Sequence, residues 1–91
     1  MKVGLVIGNI WATRKDEKLE GLKLMVVQPL NIVNNEPVGS PIIAADNIGA
    51  GVSERVIYVG GSSARMPVGS SNVPVDATIV GIIDGQDIMV L

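Results

Sequence analysis

The chain has 91 residues, of which 47% are apolar, yet its only aromatic side chains are Trp11 and Tyr58. Seven basic and nine acidic residues leave a net charge of −2, which gives no electrostatic footprint for nucleic acid or an anionic membrane. With neither Cys nor His, the chain has no disulfide, no thiolate nucleophile or ligand, and lacks the usual general base and the commonest metal ligand.

Residues 1–91 read as a single domain. A chain this short buries only about 60 to 65% of the surface it exposes when unfolded, so contacts with neighbouring subunits would add useful stability. Its core must come from Val, Ile, Leu, Met and Ala, a palette that favours strands. No run of about 18 apolar residues exists to cross a membrane as a helix, and Met1-Lys2 leads into an alternating pattern rather than a signal peptide. The reading is a soluble, cytoplasmic protein.

The first element predicted is a long strand from Val3 to Thr13 with apolar residues on both faces. Gly4 and Gly8 interrupt it, and glycine inside a strand marks a bulge, a bend or the close approach of another backbone. Arg14-Lys15-Asp16-Glu17-Lys18 is a mixed charge run and reads as a solvated loop. A second strand spans Leu22 to Leu30, ended by Pro29, which cannot donate to a ladder. From Asn31 to Ser40 the chain is turn-rich, with Asn34-Asn35 and Gly39 at positions that tolerate positive φ.

Pro41-Ile42-Ile43-Ala44-Ala45 is a short third strand, Glu54 to Val59 a fourth and Ala77 to Ile83 a fifth. Asp84-Gly85 suits a tight hairpin leading to a brief tail strand, Ile88 to Leu91. Met66 to Pro74 reads as a surface loop. No segment of ten residues carries a 3.6-residue apolar period, so helix is limited to at most one turn, near Ser62 to Arg65. The fold class expected is all-β, a small five-stranded barrel or sandwich.

Several patches could carry chemistry. Gly49-Ala50-Gly51 follows a strand as a dinucleotide fingerprint would, but Glu54 stands at the third glycine position and strand formers follow where a helix is required. A tight turn fits better, with at least one of the two glycines at positive φ or admitting a neighbouring chain. Gly60-Gly61-Ser62-Ser63 could form an anion-binding nest with Arg65 beside it, or a turn whose serines satisfy local backbone groups. Asp46, Asp76 and Asp84 close apolar runs. Paired acid–base chemistry needs carboxylates roughly 5 to 9 Å apart, whereas strand-end aspartates usually cap turns. Hard-cation sites need clustered oxygen ligands, and these acids are dispersed. The serines have no histidine to activate them. Trp11 and Tyr58 read as core or interface residues, because single-strand binders need several stacking platforms in a positive groove. No catalytic residue, metal or cofactor is predicted.

Three patches taken together, Asp46-Asn47-Ile48-Gly49-Ala50-Gly51, Gly60-Gly61-Ser62-Ser63-Ala64-Arg65 and Pro74-Val75-Asp76-Ala77, resemble the signature of the bacterial microcompartment vertex proteins, the EutN/CcmL family. Ala12-Thr13, Leu19-Glu20-Gly21-Leu22-Lys23-Leu24 and Val27-Gln28-Pro29-Leu30 extend the resemblance over nearly the whole chain. It implies an OB-like β-barrel and a homopentamer that caps the five-fold vertex of a polyhedral shell, beside hexameric and trimeric shell proteins. It also implies a structural role rather than an enzymatic one. Asp46, Gly49, Gly51, Glu54, Gly61, Ser62, Ser63, Arg65 and Asp76 are then candidates for the subunit interface or the axial opening, with Asp46, Glu54 and Asp76 as possible partners of Arg65. Alternatives are an axial pore for small ions or metabolites, and an OB-type oligonucleotide-binding module. The chain departs from the family pattern at Ser53, where relatives carry glycine just before the glutamate, and in its short tail after Asp84. The pathway enclosed, carboxysome-related or other, is not encoded in these motifs.

Overall fold

The computed structural model describes residues 1–11, 22–61 and 75–84. Five strands, β1 (Lys2–Ile10), β2 (Lys23–Pro29), β3 (Ile42–Asp46), β4 (Arg55–Gly60) and β5 (Ala77–Ile83), close into a barrel in the order β1-β2-β3-β5-β4. All neighbours are antiparallel except β3 and β5, which meet in parallel at one register pair, Ala45 opposite Thr78. The five expected strands are therefore present, each within a few residues of its predicted bounds. The tail strand from Ile88 and the helical turn from Ser62 to Arg65 lie outside the described residues.

Both glycines of β1 act as strand glycines should. A side chain at Gly4 would collide with Val27 Cγ1 and press on the Gln28 carbonyl and the Tyr58 ring, so three strands close in here because nothing projects between them. The ladder with β2 shifts between Val6 and Gly8, a bulge at Ile7, which faces outward by strand alternation while Val6 stays fully buried opposite Val27. A second shift, between Ile57 and Tyr58 against β5, bends the opposite wall.

The interior is as aliphatic as the composition requires. Val6, Met25, Val27, Ala44, Ala50, Val56, Tyr58, Ala77 and Ile79 form the main cluster, with Ile42 packed against it. A smaller one joins Ala45 and Val75 to Leu22 and Val59 at the β3/β5 seam. Of the two aromatics only Tyr58 is core. Trp11, just past the end of β1, is 89% exposed, so of the core or interface roles expected for it the chain alone leaves the interface one.

Candidate functional site

The connection from β3 to β4 is organised from inside. Asp46 is 1% exposed, and its two carboxylate oxygens accept the backbone N–H groups of Ile48 at 3.0 Å and Ala50 at 2.8 Å. That tethers Ala50 into the core and satisfies donors that the turn would otherwise bury unpaired. Gly49 sits at φ 96°, the left-handed region where a Cβ is strained, so the expected positive φ falls here rather than at Gly51. Gly51 instead donates its N–H to the Glu54 carboxylate at 2.6 Å, and a Cβ at Gly51 would stand 3.2 Å from that oxygen. Ser53 at φ 77° and Glu54 then rejoin the sheet: Ser53 N–H donates to the Val6 carbonyl at 2.8 Å and Val6 N–H to that of Glu54 at 2.9 Å.

Asp46 is thus a turn cap, with its buried carboxylate bonded within the chain, and Arg65 lies outside the described residues. The residues following Gly51 are turn and then strand, which removes the helix N-terminus that a pyrophosphate site needs.

At the other end of the β3 ladder the chain forms an open concavity of about 1160 Å³. Its wall includes Val3, Leu30, Ile32, Val33, Val38, Ile42 and Tyr58, with Lys2 and Asp76 among the charged residues lining it. Gly61, at φ 65°, borders it and donates its N–H to the Asp76 carbonyl at 2.9 Å. One donor of the proposed anion nest is therefore already engaged. Burial pushes the Tyr58 phenol above its ordinary value, which keeps it protonated and neutral. Among the described residues no three carboxylates gather to hold a metal, and no helix is long and apolar enough to cross a membrane.

The candidate residues accordingly do not form one site. Asp46, Gly49, Gly51 and Glu54 belong to the β3–β4 turn, Gly61 and Asp76 to the concavity, and Ser62, Ser63 and Arg65 lie outside the described residues. What the motifs missed is apolar surface: Ile32, Val33, Val38 and Ile43 at the concavity, and Ile48 and Val52 on the turn, all between 47% and 70% exposed. A signal existed in the adjacent Ile32-Val33 pair, placed inside a turn where a buried role is hard to arrange.

A barrel of this topology with these two turns can be compared with known proteins. The family described as ethanolamine utilisation protein EutN/carboxysome matches residues 1–84. The chain belongs to the EutN/CcmL family. Among its EutN/CcmL relatives, the microcompartment shell vertex protein GrpN of Rhodospirillum rubrum is 44% identical over 84 residues, covering 92% of this chain and 93% of GrpN. The carboxysome shell vertex protein CcmL of Gloeobacter violaceus is 37% identical, covering 92% and 83%. A solved EutN structure superposes with a TM-score of 0.88 at 40% identity over 92% of this chain and 86% of that one. The solved GrpN, described as a pentameric microcompartment shell protein, superposes with a TM-score of 0.83 at 42% identity over 98% of this chain and 100% of GrpN. The resemblance drawn from the motifs is borne out, both as family and as barrel.

Proposed function

We propose that five copies of this EutN/CcmL chain close into a ring that caps the five-fold vertex of a microcompartment shell in the bacterial cytoplasm. The role is structural, with no catalytic step, and the ring sits among hexameric and trimeric shell proteins. The observation that carries this reading is the match to pentameric GrpN from end to end of both chains. The physics supports it: the barrel keeps its polar turn groups bonded internally while leaving isoleucines and valines at the surface, which suits burial between subunits. Gly49, Gly51, Glu54, Gly61 and Asp76, with Ser62, Ser63 and Arg65, are assigned to the subunit contacts and the rim of the axis. Asp46 acts indirectly by fixing the turn that carries the first of them.

Native mass spectrometry tests the reading. Five chains of 9.5 kDa give a species of about 47.5 kDa, expected to be the dominant one at micromolar concentration. A stable monomer, or a hexamer, would overturn the proposal.

A further inference from the structure

We propose that the concavity is a binding site for an uncharged organic molecule with an apolar body and one acceptor oxygen, a ketone-type carbonyl, which receives a hydrogen bond from the Tyr58 hydroxyl. This adds a ligand to the barrel and goes beyond the ring, on which it does not depend.

Tyr58 carries the argument. The residue is 4% exposed, and its ring occupies the room left by the missing side chain of Gly4, where a Cβ would stand 3.2 Å from Tyr58 Cε1. A phenol this deep ordinarily finds a partner for its hydroxyl. Among the described residues the Tyr58 hydroxyl has none, yet no fully buried side-chain nitrogen or oxygen is left unbonded. Both hold together only if the hydroxyl reaches open space, and the open space that Tyr58 borders is the concavity. The site therefore presents a neutral donor with no protein acceptor.

The surroundings of that donor set the rest of the ligand. Val3, Leu30, Val38 and Ile42 give the wall an apolar face, and its volume of about 1160 Å³ holds a molecule of small-ligand size. The side-chain charges at its border, Lys2 and Asp76, are opposite in sign. They cancel, so an ion entering the concavity would lose hydration without a net countercharge, which favours a neutral guest.

The wall is also built before a ligand arrives. Asn31 Oδ1 accepts the N–H groups of Val33 at 2.8 Å and Asn34 at 3.3 Å, and Gln28 Nε2 donates to the Gly39 carbonyl at 3.1 Å. Arg55 clamps the tip of the same turn through Asn35 Oδ1 at 2.9 Å. A site already ordered in the free protein spends little of its binding energy on ordering.

Three probes that share one apolar body test the proposal: benzylacetone, which carries the ketone, butylbenzene, which has a methylene in its place, and hydrocinnamate, which has a carboxylate. Each is titrated into the methyl-labelled full chain and its Tyr58→Phe variant, with methyl NMR shifts as the readout and native mass spectrometry reporting assembly of the same samples. Benzylacetone should give saturable shifts at Val3, Leu30, Val38 and Ile42 and none at Ile7, Val52 or Ile82. Tyr58→Phe should weaken benzylacetone about threefold to tenfold more than it weakens butylbenzene, the range of one hydrogen bond. Val38→Trp, a change at a half-exposed wall position, should abolish binding and serves if Tyr58→Phe does not fold. Absence of saturable shifts, equal effects of Tyr58→Phe on ketone and alkane, unchanged binding by Val38→Trp, or tighter binding of hydrocinnamate than of benzylacetone would each overturn the proposal. None of these results bears on the ring, whose failure would show as the loss of the pentamer in the mass spectra.

Discussion

At the scale of single residues, the turn before β4 is built on two backbone positions of unequal quality. Gly49 occupies the left-handed region at no steric penalty, but Ser53 holds φ 77° with a Cβ in place. Ser53 stands in a conformation that glycine adopts freely, and the geometry gives its side chain an energetic sign. Ser53→Gly should relieve the strain and, after the extra unfolded-state entropy of glycine, stabilise the chain by about 1 kcal/mol. Thermal melts of parent and variant at equal concentration check this, with a rise of several degrees expected. An unchanged or lowered midpoint would mean that Ser53 is not strained where it stands. The capping role of Asp46 was legible in the sequence, because an aspartate at a strand end ahead of a glycine turn has few other uses. The separate tasks of Gly49 and Gly51 were not, since both are simply glycine until their φ angles and neighbours are known.

At the scale of elements, β1 decides how tightly the barrel can close. It pairs with β2 on one side and β4 on the other, and Gly4 lies where Val27 and Tyr58 fill the interior against it. Gly4→Ala places a methyl inside that contact and should destabilise the fold by about 1 to 3 kcal/mol through overpacking. A control at Gly8, whose Cβ would meet Val26 at an ordinary 4.0 Å, should cost far less. Urea melts of Gly4→Ala and Gly8→Ala compare the two, and equal losses would show that the Gly4 contact relaxes freely. Both glycines stood out in the sequence as interruptions of a strand. Only the register shift between Val6 and Gly8, and the crowding at Gly4, showed that one marks a bulge and the other a close approach.

At the scale of the whole molecule, the small aliphatic barrel leaves Ile7, Ile43, Ile48, Val52, Val33 and Ile82 at 42% exposure or more, apolar surface that neighbouring subunits could cover. If ring closure covers that surface, folding and assembly are linked by mass action, and the melting midpoint should climb as chain concentration rises from micromolar upward. Scanning calorimetry over a hundredfold range of concentration measures it. A midpoint independent of concentration would show that each barrel is stable without its neighbours.

Alternation, glycine placement and turn residues determined the five strands seen among the described residues, the all-β class and the turn signature, because these are local consequences of pleat geometry and allowed φ. The family followed from the same motifs. Only the tertiary structure decided that β3 closes on β5 in parallel, that Trp11 faces outward while Tyr58 is buried, and that the motif residues divide between a turn and a concavity. Those are relations between residues far apart in sequence. They depend on which strands meet, in which direction and with which bulges, and a linear pattern carries no record of the pairing that turns one side chain inward and leaves its neighbour at the surface.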